Sequence, residues 1–191
     1  VYKRQMQVIG ELAEPLPGER TVLRNEESAL GRFVADIMRQ RADTEIALIN
    51  AGSLRQGLNN GFINEMDIFS VFPFEDTIVT GMLSGKELFE ILDFMVTEKI
   101  GEGGFLQSSG IEFDIFDGSI SNLKINGKAV EEDRGYSFCA NSFLTGGGDG
   151  YEMFRNIKNI KNTGDTVPQA IVEYIKREKY ILPGSSKQGK K

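Results

Sequence analysis

Residues 136–154, YSFCANSFLTGGGDGYEMF, join a strand-like run to a glycine-rich loop. The run YSFCAN predicts a strand because its aromatic and apolar side chains favour a pleated, buried setting. The loop matches neither of the common phosphate-binding patterns, G-x-x-x-x-G-K-[ST] or G-x-G-x-x-G before a long helix. Two interpretations stay open: a structural turn, or a ligand-binding loop that carries Phe143 and Asp149 at its two ends.

Helical patterns lie on both sides of this loop in the sequence. Residues 27–43 place apolar side chains at helical spacing, and residues 64–72 predict a short helix that stops before Pro73. Ser84 with Glu87 forms an S-x-x-E capping box, which predicts a helix start. Thr166 with the Gln three residues later predicts the start of the last helix.

Strands and hairpins occur between these helices. The predicted strands are centred on Val8 and Ile9 and cover 45–50, 76–84, 111–116, 119–125, 128–130 and 136–141. Asn126-Gly127 predicts a hairpin turn, and residues 51–62 and 100–110 are expected to be loops. Because helices and strands alternate irregularly and hairpins intrude, the predicted class is α+β: a single domain of mixed sheets with hairpins packed against amphipathic helices.

The predicted domain covers residues 8–182. We expect residues 1–7 to be the end of an interdomain linker, and residues 183–191 to be a disordered tail because they lack an apolar anchor. No apolar run approaches the roughly 18 residues of a membrane span. The first residues, VYKRQMQVIG, lack an initiator Met and an apolar leader core, so we expect a processed chain or a piece of a longer protein.

The composition excludes several function classes. The 191 residues are 40% hydrophobic and carry a net charge of −6, which argues against DNA or RNA binding, since that function needs clustered Lys and Arg. There is no histidine, so independent metallohydrolase or Ser-His-Asp chemistry is not expected. Cys139 is the only cysteine, which excludes an intrachain disulfide.

Polar and aromatic residues in three further segments are candidate ligand contacts. Asn50 ends a strand and Arg55 follows a glycine turn, so the amide and the guanidinium can converge on one ligand; the alternative is a turn cap and a solvated charge. Phe74 is either a core residue or an exposed stacking platform. Arg24 is interpreted as a solvated loop charge unless it joins Arg55 around a phosphate.

The ordered motifs resemble one family over about residues 5–180. LGRFVADIM, NAGSLR, DIFSVFPFEDTIVTGMLSGKEL, FLQSSGIEF, LKINGKAV and FLTGGGDGYEMF occur in the order and spacing of the C-terminal domain of the 5′-nucleotidase family. The resemblance implies that Phe74 and Phe143 sandwich a base and that Asp149 accepts hydrogen bonds from ribose hydroxyls. It also implies that Arg24 and Arg55 meet the phosphate and ribose end.

The resemblance also assigns Asn50 to the base side of the pocket and exposes one departure. Relatives often carry Asn where this chain has Asp76, and a carboxylate accepts hydrogen bonds but donates none, so the base preference stays open. The implied ligand is a nucleotide or nucleoside, and the implied partner is an N-terminal metallophosphoesterase domain of the same parent protein. That domain would hold two divalent metal ions, while this chain would hold no cofactor and no catalytic residue.

The implied function is substrate binding for a metal-dependent nucleotide hydrolase in a secreted, periplasmic or cell-surface location. Mono-, di-, sugar- and cyclic nucleotides are not separated by these motifs. The alternative is a non-catalytic nucleotide- or carbohydrate-binding surface module. A D-x-H, G-N-H-E and G-H-x-H series upstream of Val1 would favour the hydrolase, and its absence would favour the module.

Overall fold

Eleven strands and six helices occur in residues 7–184, the part of the chain that the computed structural model describes. In chain order the elements are β1 (Val8–Leu12), α1 (Arg20–Leu23), α2 (Ala29–Ala42), β2 (Ile46–Asn50), β3 (Gly61–Asn64), α3 (Glu65–Val71), β4 (Thr77–Ser84), α4 (Gly85–Glu98), β5 (Leu106–Ser109), β6 (Ile111–Phe116), β7 (Ser119–Ile125), β8 (Lys128–Ala129), β9 (Gly135–Asn141), α5 (Ser142–Thr145), β10 (Lys161–Thr166), α6 (Val167–Glu178) and β11 (Tyr180–Ile181). Short 3-10 turns cover Ala51–Ser53, Gly148–Gly150 and Glu152–Asn156.

A five-stranded sheet with the order β10-β4-β9-β2-β5 forms the centre of the fold. Strands β2 and β9 run parallel, and Leu48 pairs with Ala140. Both strands therefore end at the same edge of the sheet, where α/β proteins commonly bind ligands. Strand β4 runs antiparallel to β9, and Ile78 pairs with Asn141, so β4 begins at that edge. Asn50, Asn141 and the segment before Thr77 are brought together by this register.

Two smaller sheets and three long helices complete the core. The smaller sheets have the orders β11-β1-β3 and β6-β7-β8. Helix α2 packs against β2, β5 and α6, while α4 packs against β4 and β7. Every residue of β2 is buried, as expected for a strand covered on both faces.

The helix starts follow the capping signals of the sequence. The Ser84 side chain accepts from the Glu87 amide, and the Glu87 carboxylate accepts from the Ser84 amide, so the predicted capping box is confirmed. The Thr166 hydroxyl accepts from the Gln169 amide at 3.3 Å. A second complete box at Asn64 opens α3 inside the predicted helical segment.

The prediction of a loop over residues 100–110 is wrong in its second half, because β5 forms there and pairs with β2. The segment LQSS is a poor strand by composition, since three of its four residues are polar. All four are nevertheless buried. The Gln107 side chain makes this tolerable by bonding to the backbone of residues 23–28.

The remaining differences concern short strands. Strands β3, β10 and β11 were not predicted, and β3 begins inside the expected loop 51–62. The Asn126-Gly127 hairpin is confirmed, with φ of 51° and 73° at its two turn residues. The predicted α+β class with mixed sheets and hairpins is also confirmed. Most of the predicted linker end 1–7 and tail 183–191 lies outside the described residues, which omit 1–6 and 185–191.

Candidate functional site

A cavity of about 280 Å³ lies at the edge where β2 and β9 end. It contains all seven side chains that the sequence predicted for a site, together with three small residues. The lining residues are Arg24, Asn50, Gly52, Ser53, Arg55, Phe74, Asp76, Gly103, Phe143 and Asp149. The structure thus gathers five separate sequence segments around one cavity.

The two candidate aromatic residues are partly exposed. Phe74 is 37% exposed and Phe143 is 43% exposed, so the interpretation of Phe74 as a core residue is wrong. The Phe74 ring rests edge-on against buried Phe72, with 5.8 Å between centroids. The Arg55 guanidinium lies 5.2 Å from the Phe74 centroid and covers part of that ring. The two rings give the cavity aromatic surface that can contact a flat apolar group.

The glycine turn positions Phe143 and Asp149. Gly147 has φ of 87° and Asp149 has φ of 53°, so the chain reverses through left-handed conformations. Gly148 lies directly against the Phe143 ring, because a Cβ on it would stand 2.5 Å from a ring carbon. The loop is therefore a tight turn whose two ends carry Phe143 and Asp149 into the lining of the cavity, and its role in ligand binding stays a prediction.

A hydrogen-bonded chain of side chains runs under the cavity. Asn50 Nδ2 donates to Asp149 Oδ2 at 2.9 Å, and Asn50 Oδ1 accepts from Ser53 Oγ at 2.6 Å. Asn141 Nδ2 lies 3.2 Å from both Asn50 Oδ1 and Asp76 Oδ2. The two carboxylates of the cavity are thus held at opposite ends of a pair of buried amides.

Asn141 and Ser142 are contributors that the sequence reasoning missed. Asn141 is fully buried, and Ser142 Oγ donates to Asp76 Oδ1 at 3.1 Å while accepting from the Thr77 amide. The sequence signal was an amide side chain directly after the apolar residues Phe138, Cys139 and Ala140 of the strand YSFCAN. A buried polar side chain at a strand end requires partners, and here the partners are site residues.

The segment that carries Arg24 is fixed by β5. Gln107 Nε2 donates to the carbonyls of Leu23 and Glu26 at 2.8 and 2.7 Å. Its Oε1 accepts from the Ser28 amide at 2.8 Å. One buried side chain therefore holds the loop on both sides of Arg24 against the central sheet.

A buried tyrosine supports the other side of the glycine turn. The Tyr151 hydroxyl donates to the Gly104 carbonyl at 2.7 Å. Burial, and secondarily the charge of Asp149, raises the pKa of Tyr151 above its ordinary value. The hydroxyl therefore stays a neutral donor and ties the loop containing Gly103 and Gly104 to the turn.

The cavity combines two guanidinium groups with two carboxylates. Within residues 7–184, neither Arg24 nor Arg55 forms an ion pair. Both remain able to meet an anionic group such as a phosphate, to which arginine can donate two parallel hydrogen bonds. Asp76 and Asp149 supply acceptors for hydroxyl or amine donors.

Neither a metal cluster nor a membrane span occurs among the described residues. In residues 7–184, no group of three or more His, Cys, Asp or Glu side chains is arranged to hold a metal ion. None of the helices in the same range has the length and apolar character needed to cross a lipid bilayer.

Comparison with known proteins identifies relatives of this chain, and the family model and the named relatives agree with one another. A family model described as 5′-nucleotidase, C-terminal domain, matches residues 8–156. The 5′-nucleotidase of Vibrio cholerae is 32% identical over 160 residues, which are 84% of this chain and 29% of that protein. Protein UshA of Escherichia coli is 28% identical over 176 residues, which are 92% of this chain and 32% of that protein.

Solved structures of similar fold agree. The 5′-nucleotidase precursor from Thermus thermophilus has a TM-score of 0.88 and 29% identity, covering 96% of this chain and 39% of that one. The Haemophilus influenzae NAD nucleotidase shares the fold with a TM-score of 0.83 at 18% identity, covering 97% and 38%. The chain spans about a third of the length of the curated relatives described above. It therefore belongs to the 5′-nucleotidase family and carries that family's C-terminal domain.

Proposed function

We propose that this chain binds the substrate of a metal-dependent 5′-nucleotidase-type hydrolase. The observation that carries the proposal is the single cavity that contains two half-exposed phenylalanines, two arginines and two carboxylates. A nucleotide presents a flat base, a diol and a phosphate, and each of these has a matching group in the cavity. The volume of about 280 Å³ is near the lower end for small-molecule sites.

In this proposal the aromatic pair binds the base without reading it. Phe74 and Phe143 contribute stacking surfaces, and stacking on an aromatic side chain is worth about 1 to 3 kcal/mol per base. Arg55 already covers part of Phe74, so the base uses the ring surface that remains. Affinity from stacking is therefore shared among all bases.

The polar groups orient the rest of the ligand. Asp149 accepts hydrogen bonds from the ribose hydroxyls, and its carboxylate is held in place by Asn50. Arg24 and Arg55 attract the phosphate, which is drawn to them because both guanidinium groups lack a carboxylate partner in residues 7–184. The nucleotide is then held in one orientation.

Bond cleavage belongs to another domain of the parent protein in this proposal. The relatives are about three times as long as this chain, and the resemblance assigns two metal ions and the catalytic residues to their N-terminal domain. The chain described here would raise the rate of hydrolysis by holding the phosphate in place relative to the metal ions and catalytic residues of the N-terminal domain. This is an entropic contribution. We propose a secreted, periplasmic or cell-surface location on the same resemblance.

Titration of the 191-residue chain with AMP tests the proposal. We expect Phe74→Ala and Phe143→Ala each to weaken binding by about 5-fold to 100-fold, because each removes one stacking surface. Calorimetry or ¹⁵N chemical-shift titration measures the change. The same chain incubated with AMP and Mn²⁺ is expected to release no phosphate.

Phe116→Ala is the matched control, since Phe116 is 79% exposed on β6 and does not line the cavity. Its affinity for AMP should equal that of the unsubstituted chain. Unchanged affinity in both cavity variants would refute the stacking role. Metal-dependent phosphate release by the purified chain would refute the division of labour.

A further inference from the structure

We infer that Asp76 makes this cavity select a base whose edge carries two adjacent N–H donors, as guanine does; this inference rests on the proposed function. Asp76 lines the cavity two residues after Phe74. Asp76 and Asp149 are the only residues lining the cavity whose side chains carry two acceptor oxygens and no donor. The chemistry of Asp76 therefore discriminates between bases that stacking alone does not separate.

The Asp76 carboxylate is held rigidly. Asn141 Nδ2 donates to Oδ2 at 3.2 Å, and Ser142 Oγ donates to Oδ1 at 3.1 Å. The Asp76 backbone is held as well, since its carbonyl accepts from the Val167 amide at 2.9 Å. A carboxylate offers about four lone-pair positions, so each oxygen keeps capacity for a further donor. A fixed acceptor pair of this kind favours a bidentate donor.

The Asn141 amide is oriented as a hydrogen-bond donor toward Asp76. Its Nδ2 is turned toward Asn50, Ser53 and Asp76, although this leaves the buried Oδ1 without a hydrogen-bond partner among the described residues. A flipped amide would set Oδ1 against Asn50 Oδ1 and Asp76 Oδ2 instead. The flipped amide would thus exchange donated hydrogen bonds for contacts between acceptor oxygens. Asp76 is consequently committed to accepting.

In this inference the two carboxylates contact different parts of the ligand. Asp149 lies at one end of the amide chain and is assigned to the ribose, while Asp76 lies at the other end beside Phe74. Guanine presents N1–H and the N2 amine side by side, and both donate to a carboxylate. Adenine presents its N6 amine beside the N1 lone pair, so one Asp76 oxygen would face another acceptor.

Titrations of the 191-residue chain with GMP, IMP and AMP measure this preference. We expect GMP to bind about tenfold more tightly than AMP, the lower part of the range for a bidentate contact to a base. IMP, which keeps N1–H and lacks the N2 amine, should fall between them. Chemical shifts of ¹⁵N-labelled amides in residues 141–151 report binding at this cavity.

Asp76→Asn is the decisive variant because it preserves size and supporting contacts. The introduced amide can still accept from Asn141 through its oxygen, and its NH₂ group can donate to Ser142, whose hydroxyl is free to rotate. A donor then replaces one acceptor at the cavity wall. We expect the ratio of GMP to AMP affinity to fall about tenfold, close to one.

Asp149→Asn is the matched control, since it changes the other carboxylate of the cavity and the ribose is common to all three nucleotides. It should weaken the binding of GMP, IMP and AMP by the same factor and leave the ratios of their affinities unchanged. If the ratio of GMP affinity to AMP affinity is the same in the unsubstituted and Asp76→Asn chains, the inference is refuted and the proposed function is left intact. Failure of every nucleotide to bind the unsubstituted chain would refute both.

Discussion

Gly148 packs directly against the Phe143 ring. A Cβ at Gly148 would stand 2.5 Å from one Phe143 ring carbon and 2.6 Å from another. The Phe143 carbonyl oxygen would also stand 2.6 Å from it, so Gly148→Ala must displace both the ring and the backbone that carries it. We expect the substitution to weaken AMP binding by about tenfold, comparable to the loss of one stacking surface. A calorimetric or chemical-shift titration of the variant measures the effect.

Gly146→Ala is a suitable comparison within the same turn. A Cβ there would meet its nearest neighbour at 3.2 Å, and the backbone φ of −80° suits alanine. Its affinity should stay within a factor of about three of the unsubstituted chain, since no site side chain must move. If both alanine variants bind AMP equally well, close packing of Gly148 on Phe143 has no functional consequence.

Strand β5 illustrates how an element can form against its composition. Gln107 satisfies two carbonyls and one amide in residues 23–28, and its side chain is completely buried. Gln107→Leu would leave these three backbone groups without partners. We expect a loss of about 2 to 4 kcal/mol in the free energy of unfolding, measured by urea denaturation followed by circular dichroism.

Gln40→Leu provides the reference for that measurement because Gln40 is exposed on α2. We expect it to change the free energy of unfolding by less than about 0.5 kcal/mol. The Gln107 variant should also bind AMP more weakly than its stability loss explains, since Arg24 follows Leu23 directly. Equal stability of the two variants would contradict the bridging role of Gln107.

At the scale of the whole molecule, the burial of Cys139 on β9 makes the free energy of unfolding depend on pH in the alkaline range. Burial raises the pKa of the Cys139 thiol from 9.0 to about 12. Between these values the unfolded chain ionises the thiol while the folded chain keeps it protonated, so stability falls as pH rises. We expect the thiol to remove about 1 kcal/mol of unfolding free energy between about pH 7 and pH 10.

Cys139→Ala isolates this contribution, because all other titrating groups are common to both chains. Urea denaturation of both chains at the same two pH values measures how the free energy of unfolding of each chain changes with pH. The stability of the unsubstituted chain should decline more steeply than that of the alanine variant. Parallel declines would show that the thiol environment does not resist ionisation.

Much of the fold was predictable because its signals are local. The Ser84–Glu87 box and the Asn126-Gly127 turn depend on residues within a few positions of each other, and both are confirmed. Strand β5 was missed because its stability comes from Gln107 bonds that span about 80 residues. Polar strands of that kind have no signature in a short window.

The candidate site was predictable as a set of residues and not as a geometry. Phe74 alone is indistinguishable from a core aromatic in the sequence, and only the ordered motifs grouped it with Phe143. The contact of Arg55 with Phe74 and the amide chain through Asn141 depend on strand register, which single-sequence patterns do not report. The binding roles of the seven residues stay predictions until the titrations are done.

The hydrogen bond between Asn50 and Asp149 joins residues 99 positions apart. During synthesis, the ribosome therefore completes the two partners at different times. At about 5 to 20 residues per second, Asn50 leaves the ribosome roughly 5 to 20 s before Asp149. During that interval the apolar strand β2 lacks its parallel neighbour β9. A nascent chain therefore carries an unpaired, aggregation-prone edge at β2 until β9 has been made, and a product terminated before β9 lacks Phe143 and Asp149 of the cavity.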